Sequence, residues 1–367
     1  MTHSSSQRIE HFDTIVVGAG QAGLAAGYHL AKRDADFVIL TADGRVGDSW
    51  RRRWDSLRLF TPASHSGLPG MPFPAPPSHF PDKDEVADYF ERYSERFDLP
   101  VRANTHVTSL TRAGDRWVLR TAGGTTFECD NVIVATGAFQ KPRLPDVSAR
   151  LSPMIRQLHS SQYTNPLELP AGPVLVVGTA SSGAQIALEL ARVRKVWLAG
   201  RDVGHFPRRF LGADIFTWVW PVMKRATMDT RLGQRMAAQA RSGGDKRMGI
   251  PHRVLTDAGI VRVGRVDGER GGQPVCDGKV LDPRVIIWAT GFEPDYRWID
   301  APVFGDDGYP RHVRGVVTDA PGLFFVGLRL QYRMNSSLVG GVGDDAAFIT
   351  EQVLQRSERD EVAAGMV

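Results

Sequence analysis

The stretch Thr14-Ile15-Val16-Val17-Gly18-Ala19-Gly20-Gln21-Ala22-Gly23 reads as a strand running into a glycine turn that opens a helix. Its four β-branched residues favour an extended, doubly buried strand. The helix-like LAAGYHLAKR follows from Leu24, and Phe37-Val38-Ile39-Leu40 supplies a second apolar strand. Strand, glycine turn, helix and strand make a βαβ unit, the context in which G-x-G-x-x-G marks a dinucleotide site. Gly18 permits the tight turn, Gly20 leaves room for a pyrophosphate, and Gly23 lets helix and strand pack closely. Gln21 and Ala22 begin the helix, where backbone N–H groups face the phosphates. An acid usually ends the second strand of such a unit. Here the order is Leu40-Thr41-Ala42-Asp43, so Asp43, two residues further on, is the candidate ribose ligand, with Thr41 as the alternative.

The pattern returns at Val174-Leu175-Val176-Val177, followed by Gly178-Thr179-Ala180-Ser181-Ser182-Gly183, a helical AQIALELAR and the strand Val196-Trp197-Leu198. Gly178, Ser181, Ser182 and Gly183 are the candidate phosphate ligands. Ala180 stands at the middle glycine position and adds a methyl where the pyrophosphate approaches. After the second strand comes Gly200-Arg201, and an arginine there suits a 2′-phosphate, which favours NADPH over NADH.

Two further runs, Asn131 to Gly137 and Arg284 to Gly291, are β-rich and end in Ala-Thr-Gly. Each suits a buried parallel strand at a crossing between domains. The expected fold class is therefore α/β, with two Rossmann-like dinucleotide-binding domains, the second inserted in the first. The first domain takes residues 1–152 and 285–367 and the second 153–284, with a helical insertion at about 211–248 whose tryptophans face substrate or core. Phe60 to Pro81 is an ordered Pro/Gly-rich loop. Asp82-Lys83-Asp84-Glu85 is a capping box for a helix that buries Val86, Phe90, Tyr93 and Phe97.

Composition narrows the chemistry. The 367 residues are 42% hydrophobic and 23% charged, and no apolar run approaches the ~20 residues that span a bilayer. The N-terminus lacks a secretory pattern, so a cytoplasmic protein without stable membrane association is expected. The two cysteines, Cys129 and Cys276, lie far apart, which argues against a disulfide framework, a thiolate metal site and a dithiol redox centre. His65 and His79 lack the companions of a metal site, so no metal is assigned. A net charge of +4 and a pI near 9.2 point to phosphate-bearing small molecules rather than nucleic acid.

Taken in order, Gly18 to Gly23, VGDSWRRRWDSLRLFTP (46–62), HSSQY (159–163), the second glycine turn, WATGFEPD (288–295) and GLFFVG (322–327) with SLVGGVGDDAAFI (337–349) resemble the class B flavoprotein monooxygenases. The likeness is greatest to small bacterial flavin-containing monooxygenase-like proteins and covers nearly the whole chain. It implies FAD in the first unit and NADPH, or NADH, in the second. It further implies that Trp50 lies beside the flavin, that Val107 sits near the adenine, and that Ala135 and Gly137 border the first nucleotide. The glycine-rich turn before Asp345 would bring a helix N-terminus toward the flavin ring. The implied reaction uses O2 to oxygenate a small substrate through a flavin C4a-hydroperoxide.

Departures from the family pattern bear on that reaction. The signature FxGxxxHxxxY keeps His159 and Tyr163, but Pro153 and Ile155 replace its first two residues. Tyr163 is followed by Thr164 rather than proline, which favours oxygenation at sulfur or nitrogen over Baeyer-Villiger ketone oxygenation. Phe60 stands where eukaryotic members place an asparagine near the flavin. An NAD(P)H oxidase or flavin reductase producing peroxide, and a non-catalytic flavin-binding regulatory protein, therefore stay open, as does a homodimer. His159 and Tyr163 are read as an interdomain motif rather than catalytic groups, since no serine or cysteine is tied to the histidine.

Overall fold

The computed structural model describes residues 9–243 and 246–365. The first unit runs β1 (Ile9–Val17), α1 (Gln21–Ala31), β2 (Phe37–Leu40), α2 (Lys83–Arg96), β3 (Val101–Arg102), β4 (Val107–Ala113), β5 (Arg116–Thr121) and β6 (Thr126–Val134). The chain crosses through β7 (Lys141–Pro142) to β8 (Arg156–His159), β9 (Val174–Val177), α3 (Ser181–Leu190) and β10 (Val196–Ala199). Helices α4 (Ile215–Arg225) and α5 (Arg231–Gly243) form the insertion, before β11 (Val261–Val263) and β12 (Val285–Trp288). It returns through β13 (Phe292–Glu293) to β14 (Leu323–Phe325) and the long α6 (Gly343–Gly365).

One sheet has the order β3-β2-β1-β6-β5-β4, and β14 pairs with the C-terminal half of β6. The other, β11-β10-β9-β12-β8, is parallel throughout. Its strands repeat the parallel part of the first sheet in register: Val17 lies opposite Val134, and Val177 opposite Trp288. The residue after each crossing strand donates to the strand before each glycine turn, Ala135 N–H to Val17 O at 2.8 Å and Ala289 N–H to Val177 O at 2.7 Å. The two Ala-Thr-Gly segments thus do the same job, each lying against its own glycine turn. Their central strands are buried on both faces, as the unbroken Val/Ile runs require.

One expected boundary moves. Val285–Trp288 pairs with β8 and β9 and belongs to the second sheet, so the chain leaves the second domain after Trp288 and not before residue 285. A strand of the Ala-Thr-Gly type closes its own unit before the crossing. The crossings themselves are joined, since β7 pairs antiparallel with β13.

Helix α2 starts at the Asp82–Glu85 capping box and buries Val86, Phe90 and Tyr93, while Phe97, at its C-cap, is only half-buried. In the insertion, Trp220 is buried against His65, with ring centroids 4.7 Å apart and planes 16° from parallel. Trp218 corrects the expectation for this segment: it lies on the outer side of α4, 48% exposed. Helical spacing places residues 216 and 220 on one side of α4 and residue 218 on the other. No described helix is long and apolar enough to cross a membrane.

Candidate functional site

Both glycine turns open into one cleft of about 2940 Å³. Gly18 has φ +111°, and a Cβ on it would stand 2.6 Å from Ala135 O. Gly178 repeats this, with φ +118° and Ala289 O at 2.1 Å. A Cβ on Gly23 or Gly183 would fall 1.8 Å from the carbonyl oxygen of Gly18 or Gly178. These glycines exist so that helix and turn can touch. Gly20 is different, since nothing lies within 4 Å of its Cβ direction. The helices beginning at Gln21 and Ser181 have no side-chain cap, so their first N–H groups are left for an anion. Uncapped helix N-termini and bare backbone fit a dinucleotide pyrophosphate at each turn, with open space over Gly20 at the first and Ala180 lining the cleft at the second.

Most of the expected ligands line the cleft: Gly18, Gly20, Gln21, Ala22, Asp43, Trp50, Phe60, Val107, Ala135, Gly137, Gly178, Ser181, Ser182 and Arg201. Asp43 is ion-paired with Arg52, while its N–H donates to Thr41 Oγ1 at 3.3 Å. Phe60 stacks on Phe216 at 6.1 Å. Gly23 and Gly183 lie behind the lining and act through packing.

Asp345 lies off the lining as well. Its carboxylate is fully buried, 3.3 Å from Arg333 Nη1 and 3.9 Å from Arg314 Nε. Burial pushes its pKa up, opposed by Ser336, Arg333 and Arg314. The glycines before it are packed rather than open, with Gly340 against His65 O and Gly341 against Asn335 O. Ser337, Leu338 and Val339 provide the lining here.

His159 and Tyr163 also stand outside the lining, at the junction of the two units. Ser161 N–H donates to His159 Nδ1 at 3.2 Å, so Nε2–H is the donor toward Gly291 O at 3.0 Å. Burial, and then Arg53, hold the imidazole below the ordinary histidine range. A neutral ring thereby ties the end of β8 to the second crossing. Tyr163 is 1% exposed and packs with Trp54 and Leu57 of the first unit, and its hydroxyl donates to Glu189 Oε2 at 2.8 Å. Tyr163→Phe is expected to cost about 1.5–3 kcal/mol, the value of a hydrogen bond to a charged group, read as a fall of a few degrees in the thermal midpoint.

The sequence reading passed over Arg53 and Gln140. Within the arginine triplet, Arg51 is taken up by Asp48, Asp88 and Glu91, and Arg52 by Asp43. Arg53 instead lies over the Phe139 and Phe292 rings, at 5.7 and 5.8 Å, and lines the cleft where the crossings meet. Its spacing of three from Trp50, one helical turn, was the available signal. Gln140 Nε2 donates to Thr136 Oγ1 and Gly137 O, and its Oε1 accepts from Asp295 N, joining the crossings. No sequence pattern announces such a contact.

Both cysteines are buried, and burial raises both thiols, that of Cys276 to about 11. Among the described residues no group of three or more His, Cys, Asp or Glu is placed to hold a metal ion.

Comparison with known proteins agrees with this geometry. Residues 15–240 match the family model described as pyridine nucleotide-disulphide oxidoreductase. The CzcO-like oxidoreductase of Geobacillus kaustophilus is 41% identical over 347 residues, covering 93% of this chain and 98% of the relative. Indole-3-pyruvate monooxygenase YUCCA4 of Oryza sativa is 27% identical, covering 93% of this chain and 87% of its own. The structure of a flavin-containing monooxygenase from Stenotrophomonas maltophilia superposes with a TM-score of 0.77 at 25% identity, over 95% of this chain and 99% of that one. The chain therefore belongs to the pyridine nucleotide-disulphide oxidoreductase family, as an oxidoreductase of the class B flavoprotein monooxygenase type.

Proposed function

We propose that this chain is an FAD-dependent monooxygenase that uses NADPH, or NADH, and O2 to oxygenate a small substrate at sulfur or nitrogen. The observation that carries the reading is that two uncapped glycine turns of the same build open into one continuous cleft. A single-nucleotide binder has no use for the second turn. The Stenotrophomonas and Oryza relatives, both monooxygenases, support the same reaction class.

In this reading Gly18, Gly20, Gln21, Ala22 and Gly23, with Ala135 and Gly137, hold the FAD pyrophosphate. Asp43 and Val107 border its adenosine half, and Trp50 its ring. Gly178, Ser181, Ser182, Gly183 and Arg201 hold NADPH. Asp345 acts indirectly, by fixing Arg333 and the cleft-lining Arg314. Hydride acceptance and oxygen transfer are the chemistry that bound flavin supplies. The protein's part is to orient and to exclude water. His159, Gln140 and Tyr163 fix the crossings between the units, and Phe60, Phe216, Val219, Met223 and Leu338 give the cleft an apolar wall. That wall offers no charged partner and suits an apolar sulfide or amine.

Phe60 also supports a second reading, a peroxide-producing oxidase, because a phenyl ring supplies no hydrogen bond at that wall. Turnover separates the two. Holoprotein is reduced with NADPH without oxygen, then mixed with O2 and a thioether probe, and sulfoxide and hydrogen peroxide are counted per NADPH. About one sulfoxide per NADPH is expected. Peroxide without sulfoxide favours the oxidase, and failure of both NADPH and NADH to reduce the flavin overturns both.

A further inference from the structure

We infer that Arg247 is a positioning residue that sets the preference of the second nucleotide site for a 2′-phosphate, by holding the Asp202 carboxylate away from that site. The inference rests on the NADPH reading above and concerns a residue outside the cleft lining.

An acid just beyond the second strand of a βαβ unit binds the ribose hydroxyls of NADH, and it repels a 2′-phosphate. Asp202, three residues after β10, has that chemistry. Yet Gly200, Arg201 and Val203 line the cleft and Asp202 does not. Its Oδ1 accepts from Arg247 Nη2 at 3.0 Å and from Gly204 N–H at 3.0 Å. The carboxylate that would select NADH is thus turned aside, while Arg201 keeps its place in the lining.

Arg247 comes from the far end of the insertion and is 1% exposed. A guanidinium this deeply buried is costly unless its donors are used. Its Nε donates to Ile250 O at 3.2 Å, and its Nη1 reaches Thr179 O, inside the glycine turn, at 3.4 Å. The backbone around it is anchored to the same unit: Arg247 N–H donates to Gly204 O, Gly249 N–H to Phe206 O, and Met248 N–H to Ser181 Oγ at 3.2 Å. One side chain therefore spans the phosphate turn and the loop that reads the ribose. With Arg247 holding Asp202, Lys246 and Arg265 are left facing the cleft beside Arg201, a cationic rim suited to a phosphate.

The test is calorimetric titration of FAD-loaded protein with NADP+ and with NAD+, which reads binding rather than turnover. The wild type is expected to bind NADP+ more tightly. Arg247→Met should shift the ratio of the two dissociation constants about tenfold toward NAD+, because the freed carboxylate meets the 2′-phosphate and can bind the ribose hydroxyls. Adding Asp202→Asn should return the ratio to within about threefold of wild type, the signature of coupling between the two side chains. A purely structural Arg247 would weaken both coenzymes by the same factor, and that result overturns the inference. So does a wild type without preference for NADP+. A wild type that binds neither coenzyme defeats the NADPH reading first and this inference with it. Should Arg247→Met not fold, Asp202→Asn alone decides, since the Asp202 side chain is 61% exposed and tolerates replacement. With Arg247 in place the carboxylate is already held aside, so the ratio should stay within about threefold of wild type, and a larger swing toward NADP+ overturns the inference.

Discussion

Purified Gly23→Ala protein is expected to be colourless, with FAD affinity reduced at least about 100-fold. The added Cβ would stand 1.8 Å from Gly18 O and 3.0 Å from Gly18 C. Both are backbone atoms of the turn itself, so no side chain can swing aside. Alanine improves helix propensity by about 1 kcal/mol over glycine, but that gain is smaller than the cost of overpacking, up to about 3 kcal/mol or more. The remaining route to relief is displacement of α1 from the turn, which moves the first N–H groups of the helix off the pyrophosphate. Gly27→Ala is the control within the same helix. Its nearest atom is Ile39 Cδ1 at 2.6 Å, the far end of a side chain that can rotate, so that variant should stay yellow. Flavin absorbance at fixed protein concentration checks both, and a fully flavinated Gly23→Ala protein would remove the packing argument.

Gly183→Ala makes the same collision in the second unit, with Gly178 O at 1.8 Å, and should have the opposite phenotype. The protein is expected to purify yellow, since β9, which leads into this turn, belongs to a different sheet from β1. Its NADPH affinity should fall at least about 100-fold, while dithionite still bleaches the flavin at the wild-type extent. The pair of variants assigns each nucleotide to its turn. Loss of FAD from Gly183→Ala would reverse the assignment, and NADPH reduction at the wild-type rate would detach the second turn from nicotinamide binding altogether.

The signals legible in the sequence were local ones. Val174 to Gly183 and Thr14 to Gly23 announce strand, turn and helix because β-branched runs, glycines and helical periodicity act within a few residues. The capping box at Asp82 and the core face of α2 followed for the same reason. So did the equivalence of the two Ala-Thr-Gly segments, although not the hydrogen bonds from Ala135 and Ala289 that explain it. Arg53 was hidden because a triplet of arginines looks alike in sequence, and only the positions of Asp48, Asp88, Glu91 and Asp43 single out the member without a carboxylate.

By itself, then, the sequence determined two βαβ dinucleotide units and the crossings between them, because each rests on residue type and short spacing. The tertiary structure decided that β12 stays in the second sheet, that both turns open into one cleft, that Asp345 is spent on Arg314 and Arg333, and that Asp202 is turned toward Arg247. The physical reason is common to all four. Strand pairing and the direction of a charged side chain depend on partners remote in the chain, and the burial of Asp345 and Arg247 makes those partners decisive by withdrawing the competing water.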